Sequence, residues 1–300
     1  MIAMNKLAKA LNSGRLVVTA ECLPPLGSDA GAIRELSSVL PPELDAVVVA
    51  DNPDRIRGSA FSAAILLSKA IQASVILTMA TRDRNRIALM SDALGAAALN
   101  IAAILCVTGN HQSLGVCPQA SAANDFDSVQ FTQAMKKIVL YGSGLNGKEL
   151  EPKLNLQIGA TAHPYMRPME LNLLRLRKKI VVGADFLLTQ AVFNLNGFSE
   201  WLDAVRAAGL DKRTAIIPSV LPLCSVEQAQ KLQRYPTYGP IDDSVVDRMA
   251  NAADPASEGV AIAAEIAGSL KDMPGVRGIH VLCGGCESLA GEVIKRAKLC

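Results

Sequence analysis

Short runs of apolar, often β-branched residues recur roughly every 30 to 40 positions along the chain, separated by stretches in which apolar residues have helical spacing. Several runs, such as Ala46–Val49 and Ile216–Leu221, are nearly continuous in apolar residues instead of alternating with polar ones. Continuous runs are typical of parallel strands that helices cover on the outside. The pattern predicts eight strands: Leu16–Cys22, Asp45–Asp51, Ser74–Ala80, Ala103–Gly109, Asn155–Thr161, Phe186–Val192, Ala215–Leu223 and Gly278–Gly284.

The segments between these runs predict a helix after each strand. They are Asp29–Leu40, Ser59–Ile71, Asn85–Leu99, Asp127–Tyr141, Pro168–Val182, Gly197–Ala208, Ser225–Gln233 and Ser288–Lys298. Two further helical segments, Asp242–Ala250 and Ala256–Ser269, lie between the seventh and eighth strands. This alternation favours an α/β fold, a single (β/α)8 TIM barrel, with residues 1–300 as one domain. A doubly wound open sheet is the alternative, although no Gly-x-Gly-x-x-Gly follows the first strand.

Polar side chains collect at the carboxyl ends of the predicted strands. They are Glu21, Asp51, Asn52, Thr78, Arg82, Thr108, Gly109, Asn110, His163, Gln190 and Cys283. In (β/α)8 enzymes the loops at this end of the barrel build the active site. The one-sided placement therefore predicts a catalytic or binding site, without specifying its chemistry.

Composition and charge exclude several classes of protein. The 300 residues are 50% hydrophobic and 19% charged, which is ample for a large buried core. The formal net charge is only +2 and the basic residues are scattered except in Arg175–Lys179, so nucleic acid is not an expected partner. The first residues lack a signal-peptide core, and no stretch reaches the roughly 18 apolar residues of a membrane span. We expect a soluble, cytoplasmic protein.

The seven cysteines form an odd set in a chain of this size. Without a secretory signal, the default expectation is reduced thiols. Cys283 and Cys286 form one Cys-x-x-Cys, which is suited to a metal or a redox pair, but a structural zinc site usually has four ligands. Cys22, Cys106 and Cys224 also lie within or just after predicted strands and would be candidates to converge with this pair in a closed barrel. We expect small, buried, inert thiols and no metal site.

Motifs at the strand ends allow a more specific interpretation. Glu21–Pro25 reads Glu-Cys-Leu-Pro-Pro, Gly183–Gln190 reads Gly-Ala-Asp-Phe-Leu-Leu-Thr-Gln, and Ile217–Pro222 reads Ile-Pro-Ser-Val-Leu-Pro. Together with Ile104–Asn110 and Gly278–His280, and in the order in which they occur along the chain, these segments resemble the methylenetetrahydrofolate reductase family over nearly the whole chain. Two further segments, Asp51–Pro53 and Arg82–Arg86, are similar to the short, catalytic-domain-only reductases of anaerobic bacteria.

The resemblance implies a flavoprotein oxidoreductase of one-carbon metabolism that interconverts methylene- and methyltetrahydrofolate. Glu21 would be the general acid that opens the folate's five-membered ring, since desolvation at an apolar strand end raises the pKa of a carboxyl group. The implied cofactor is FAD, with FMN as the alternative. The reductant would be NAD(P)H, or electrons delivered by a partner subunit, including a zinc-containing one. We also expect an oligomer.

The resemblance further implies a flavin site at the ends of the middle strands. Its residues would be Thr78, Thr108, Gly109, Asn110, Ala160, His163, Asn172, Arg175, Lys178 and Lys179. The enterobacterial member of the family has a histidine on the third strand where this chain has Ile76, which puts that contact in doubt. Cations along one helix suit a pyrophosphate, although such spacing also fits a solvated helix face.

Asn110 is the main departure, because the family usually carries an aspartate near the flavin pyrimidine. A neutral amide there predicts a flavin that is easier to reduce and a weaker drive from methylene- to methyltetrahydrofolate. Asp51 and Asp83 are candidates to replace the lost charge. A simple turn residue is the other interpretation of Asn110.

The folate site implied by the resemblance comprises Glu21, Gln190, Gln228 and Leu232. A glutamine amide donates and accepts at once, which suits the edge of a pterin. Leu232 stands where an aromatic residue is usual, so apolar contact would replace stacking. Two other functions stay open: a flavin-free, pterin-binding methyltransferase barrel that works with a corrinoid protein, and a redox-inactive barrel that serves as a binding subunit.

Overall fold

The computed structural model describes residues 4–114, 117–150, 154–234 and 239–300, and in these residues eight parallel strands close into a barrel in chain order. The strands are β1 (Val17–Cys22), β2 (Ala46–Val49), β3 (Ser74–Ala80), β4 (Ala103–Val107), β5 (Gln157–Ala162), β6 (Phe186–Ala191), β7 (Ala215–Val220) and β8 (Gly278–Val281). Pairing of β8 with β1 completes the ring, with Thr19 opposite His280. The predicted TIM barrel is confirmed, and the open sheet is excluded.

Eleven helices lie among the described residues. They are α1 (Lys6–Ser13), α2 (Ala30–Val39), α3 (Ala60–Ala70), α4 (Arg86–Ala98), α5 (Ser128–Tyr141), α6 (Met169–Val181), α7 (Leu195–Ala207), α8 (Val226–Arg234), α9 (Asp243–Asn251), α10 (Pro255–Lys271) and α11 (Leu289–Arg296). The extra helices predicted between β7 and β8 are α9 and α10. Helix α1 was not predicted.

Alternate residues of each strand form the two layers of the core. One buried cluster, which includes Val48, Ile76, Leu105 and Phe186, fills the inside of the barrel. Helix α1 belongs to this cluster through Leu7 and Ala10, so it closes the amino-terminal end of the barrel. The opposite faces of the strands pack against the surrounding helices in a second, larger cluster. With its amino-terminal end closed in this way, the barrel opens at the carboxyl ends of the strands.

Several strands end earlier than predicted. β8 stops at Val281 and β2 at Val49, whereas the predictions extended them to Gly284 and Asp51. Just beyond these ends, polar groups bond to the neighbouring strands. Asp51, for example, accepts a hydrogen bond from the Ala80 N–H at 2.9 Å. The early ends lengthen the loops around the barrel mouth.

In the part of the chain that the structure describes, no helix combines the length and the hydropathy needed to cross a membrane.

Candidate active site

A cavity of about 460 Å³ opens between α5 and α6 at the carboxyl ends of β4 and β5. Six of the ten residues predicted for the flavin line it: Thr108, His163, Asn172, Arg175, Lys178 and Lys179. The other lining residues are Asp127, Ser128, Val129, Thr161, Ala162, Met166 and Leu176. The volume lies within the range of roughly 300–1,000 Å³ that is typical of small-molecule sites.

The wall formed by α6 makes this cavity positive. Arg175, Lys178 and Lys179 project from one helix, and Asp127 is the single acidic lining residue. The Lys179 ammonium donates to the Thr161 carbonyl at 2.6 Å, and desolvation lowers its pKa to about 8. The pKa of His163 is also lowered, first by desolvation and then by the charges of Lys179 and Arg175. The cavity is therefore suited to an anionic group.

The amino terminus of α5 forms the opposite wall. Asp127 caps the helix by accepting from the Gln130 N–H at 2.7 Å, and the Gln130 side chain accepts from the Asp127 N–H at 3.0 Å. The first N–H groups of a helix have no partner within the helix and carry a partial positive charge. Ser128 and Val129 stand at this terminus and line the cavity.

Asn172 stabilises the backbone beside the cavity. Its side chain is only 2% exposed, and its amide donates to the carbonyls of His163 at 2.9 Å and Met166 at 3.0 Å. These bonds hold the loop between β5 and α6 in place. Its amide group is thus occupied by the protein's own backbone.

Glu21 lies at the mouth of the barrel, 7% exposed, near the buried group formed by Leu23, Ala50 and Cys283. Its Oε2 atom accepts from the Cys283 N–H at 3.2 Å and from the Cys283 thiol at 3.4 Å. Desolvation raises the pKa of Glu21, hydrogen bonds from Cys283 and Gly284 oppose this, and the charge of Glu287 raises it further. The net direction is upward, so the pKa of Glu21 lies above its ordinary value.

The Cys-Gly-Gly-Cys segment after β8 forms a tight turn beside Glu21. Gly284 has a φ of +56°, and a Cβ atom there would lie 2.9 Å from Leu221 Cδ1. The Cys286 N–H donates to the Cys283 carbonyl at 2.8 Å. Glycine is required in this turn, which directs Cys283 toward Glu21 and Cys286 away from it.

The expectation of seven reduced thiols was wrong for two residues, because Cys224 and Cys286 form a disulfide across 62 residues. Neither the metal interpretation nor the redox interpretation of a Cys283–Cys286 pair is borne out. The sequence alone does not predict this disulfide, because the pairing of the two cysteines depends on β7 and β8 being neighbours. Their pairing brings the loops that follow the two strands together. Cys22, Cys106 and Cys283 are buried free thiols, as expected. Among the described residues, no group of three or more His, Cys, Asp or Glu side chains is arranged to hold a metal ion.

Asn110 is exposed, and its side-chain amide donates to the Pro53 carbonyl at 3.2 Å. Its own carbonyl accepts from the Arg82 guanidinium at 2.9 Å. The preceding Gly109 has a φ of +85°, with the Arg82 Cβ 3.2 Å from where its own Cβ would be. The loop after β4 is therefore bound to the loops after β2 and β3.

The two carboxylates considered as substitutes for the missing aspartate are both paired with arginines. Asp51 accepts from Arg84 at 2.8 Å, and Asp83 accepts from Arg82 at 2.7 Å. Because each negative charge is balanced by an adjacent positive one, neither is suited to replace the aspartate.

The predicted folate residues surround the barrel mouth. Gln190 lies where the pairing of β6 with β7 is irregular, and its side chain opposes the lowering of the His163 pKa. Gln228 accepts from the Cys224 N–H at 2.7 Å and donates to the Gly284 carbonyl at 3.3 Å, so its amide joins the β7 and β8 loops. Leu232 is buried on α8.

Four other positions predicted for the flavin do not line the cavity: Thr78, Gly109, Asn110 and Ala160. Thr78 faces the inside of the barrel, two residues beyond the fully buried Ile76. Ala160 is buried in the outer layer, between strands and helices. The predicted roles of the individual residues stay predictions. Sequence reasoning missed the α5 terminus, although the capping pattern of Asp127 and Gln130 marked it, and it also missed Glu287.

The fold and this site define a (β/α)8 barrel protein with an anion-suited cavity and a buried acid at the carboxyl ends of its strands. Residues 6–298 match the family model described as methylenetetrahydrofolate reductase. The chain belongs to this family.

Individual relatives are distant. The 5,10-methylenetetrahydrofolate reductase of Pectobacterium carotovorum subsp. carotovorum is 23% identical over 224 residues, which cover 73% of this chain and 68% of the relative. Methylenetetrahydrofolate reductase 2 of Saccharomyces cerevisiae is 36% identical over 72 residues, or 22% of this chain and only 12% of the relative's length. Relatives of this family are oxidoreductases. Neither of these two matches combines high identity with coverage of the relative's full length.

A solved structure shares the fold. An uncharacterized protein from Clostridium thermocellum, described as binding two copies of 5-methyl-5,6,7,8-tetrahydrofolic acid, has a TM-score of 0.67 and 17% identity. The alignment covers 97% of this chain and 96% of that one. At this identity the similarity shows the fold alone.

Proposed function

We propose that the protein is a flavin-dependent methylenetetrahydrofolate reductase in which Glu21 is the general acid. The observation that carries the proposal is the Glu21 carboxyl group, 7% exposed at the mouth of a barrel of this family and with a raised pKa. Folate as the substrate is supported by the family and by the methyltetrahydrofolate bound to the Clostridium protein. The individual residue roles, including that of Glu21, are part of the proposal.

The cavity between α5 and α6 would be the flavin site in this proposal. Arg175, Lys178 and Lys179 would bind its phosphates, together with the N–H groups at the start of α5. Three cations and a helix terminus suit two phosphates better than one, so we favour FAD over FMN. When bound, the flavin supplies hydride to the one-carbon unit.

Glu21 would move one proton in the reaction. Protonation of a nitrogen in the folate's five-membered ring opens the ring and leaves an electrophilic one-carbon group. An ionised carboxyl group has no proton to give, and burial, which raises the pKa of Glu21, increases the fraction that carries a proton at a given pH. The rate should therefore fall as the pH rises through the pKa of Glu21.

Asn110 would weaken the drive toward methyltetrahydrofolate, because its side chain is a neutral amide, which donates to the Pro53 carbonyl, and not a carboxylate. The electron donor belongs to the proposal as well: either NAD(P)H enters the folate site in turn, or a partner subunit delivers electrons. We also propose that the protein works in the cytoplasm as an oligomer.

The function is tested with purified protein loaded with FAD under anaerobic conditions. We expect a yellow protein whose flavin absorbance is bleached by methyltetrahydrofolate and restored by methylenetetrahydrofolate. A protein that binds methyltetrahydrofolate and a corrinoid protein but not flavin would be a methyltransferase. A protein without flavin binding or corrinoid binding would contradict both enzymatic functions.

Arg175→Ala should weaken FAD binding about tenfold or more, because a hydrogen bond to a charged group typically contributes about 1.5–3 kcal/mol. Arg177→Ala is the matched control, since Arg177 is exposed on the same helix and is not part of the cavity lining. Titration of the protein with FAD, followed by flavin fluorescence, measures both dissociation constants. Equal affinities in the two variants would exclude this cavity as the phosphate site.

A further inference from the structure

Glu21, Cys283 and Glu287 form a continuous chain of polar atoms from the barrel mouth toward the surface. The Cys283 Sγ atom lies 3.4 Å from Glu21 Oε2 and 3.6 Å from Glu287 Oε1, both within hydrogen-bond distance for sulfur. We infer that Cys283 and Glu287 are a proton relay that reprotonates Glu21 from solvent after each turnover. The inference rests on the proposed function and adds two residues that act through Glu21.

A relay is needed because Glu21 is enclosed. Its side chain is 7% exposed, Cys283 is 0% exposed, and Leu23 and Ala50 pack with Cys283 at the same place. A bound folate would cover the mouth further. A general acid in this position gives up its proton to the substrate and has to recover one by a path through the protein.

Glu287 is the outer end of this path. It precedes α11 and is only partly buried, whereas Glu21 and Cys283 are buried. The Leu23 N–H donates to the same Oε1 atom at 3.3 Å, which holds the carboxyl group over the end of β1. A fixed carboxyl group with one side toward water suits the entry point of a relay.

Cys283 is suited to the middle position because burial raises the pKa of its thiol well above its usual value, and the charges of Glu21 and Glu287 raise it further. It therefore stays an S–H group that donates one hydrogen bond and accepts another. In the transfer, the Sγ–H bond breaks as the proton passes to the Glu21 carboxylate, while the proton of Glu287 forms a new Sγ–H bond. Water then reprotonates Glu287, and no electrons move.

The loops around the relay keep it in place. The disulfide between Cys224 and Cys286 and the hydrogen bond from Gln228 to the Gly284 carbonyl hold the turn that carries Cys283. Burial, together with the charges of Glu287 and Glu21, raises the pKa of the nearest other thiol, Cys22, to about 12, so it stays neutral.

Other charged and titratable groups around the mouth do not compete with the relay. On the β2 and β3 side, Asp51 is paired with Arg84. Burial lowers the pKa of His280 to about 3, and this neutral ring bonds to Thr19 at 2.8 Å. The charge that faces Glu21 is thus that of Glu287.

The relay is tested by comparing single and multiple turnovers in Cys283→Ala and Cys283→Ser. A single turnover, in which reduced enzyme is mixed with methylenetetrahydrofolate, starts with Glu21 protonated and should be within about threefold of wild type in both variants. With reduced viologen dye as the electron donor, steady-state turnover of Cys283→Ala should fall about tenfold and rise with the concentration of a small buffer acid. Cys283→Ser keeps an O–H group and should retain most of the turnover.

Glu287→Gln should also slow steady-state turnover. In addition it should move the high-pH fall in rate to lower pH, since the lost negative charge no longer raises the pKa of Glu21. The matched control is Glu292→Gln on α11, whose side chain is 56% exposed and whose carboxylate lies 3.7 Å from Arg296.

The outcomes separate the relay from the proposed function. Wild-type protein without folate turnover overturns both. An active wild type in which Cys283→Ala keeps full, buffer-independent turnover, or in which Glu287→Gln leaves the pH profile unchanged, overturns the relay alone.

Discussion

Glu21→Gln should lower folate turnover by roughly 100- to 10,000-fold, the usual contribution of a general acid. The amide has nearly the same shape and still accepts the hydrogen bond from the Cys283 N–H, but it has no acidic proton to give. Flavin binding should be unchanged, because the cavity of about 460 Å³ is built from β4, β5, α5 and α6 and not from β1. The rate of flavin oxidation by methylenetetrahydrofolate, followed at the flavin absorbance maximum, measures the effect.

Glu35→Gln is the matched control, because Glu35 is exposed on α2. It should leave both flavin binding and turnover unchanged. Turnover of Glu21→Gln close to that of wild type would remove Glu21 from the mechanism. Loss of flavin binding in the same variant would mean that Glu21 has a structural role at the barrel mouth.

Removal of the disulfide should have the largest effect on stability. A cross-link that closes a loop of 62 residues lowers the entropy of the unfolded chain and contributes about 4 kcal/mol in the chain-entropy model. The Cys224→Ser/Cys286→Ser double variant should therefore lose about 2–4 kcal/mol in free energy of unfolding, measured by urea denaturation. A reducing agent should produce the same loss in wild-type protein and none in the variant.

Cys300→Ser is the control for this experiment, because Cys300 is a free, exposed thiol outside the loop. Its unfolding midpoint should match that of wild type. Equal stability of the double variant and wild type, with and without reductant, would show that Cys224 and Cys286 are not cross-linked in solution.

The strands and helices were predictable because burial of a strand on both faces produces a continuous apolar run, which is visible in the sequence. β3 and β4 begin at the predicted residues Ser74 and Ala103, since parallel strands under helices are nearly continuous in apolar residues. The sequence of helix α1 has no comparable pattern. It has eight residues, and only its packing under the barrel explains why Leu7 and Ala10 are apolar.

The site was predictable in part for a similar reason. Cations spaced along α6 are visible in the sequence, and the barrel topology places the ends of β4 and β5 beside them. The partner of each side chain was not predictable. For Gln228 the sequence offered a role at the pterin, which stays a prediction, but gave no sign that its amide joins the loops after β7 and β8.

By itself, the sequence determined the barrel and the family, because these depend on periodicity and on motifs within single βα units. Only the tertiary structure decided that Cys286 pairs with Cys224, that Asp51 is neutralised by Arg84, and that Cys283 and Glu287 approach Glu21. The physical reason is that β1 and β8 become neighbours when the barrel closes, which brings Glu21 within 3.4 Å of a thiol 262 residues away. No local pattern encodes a contact of that kind.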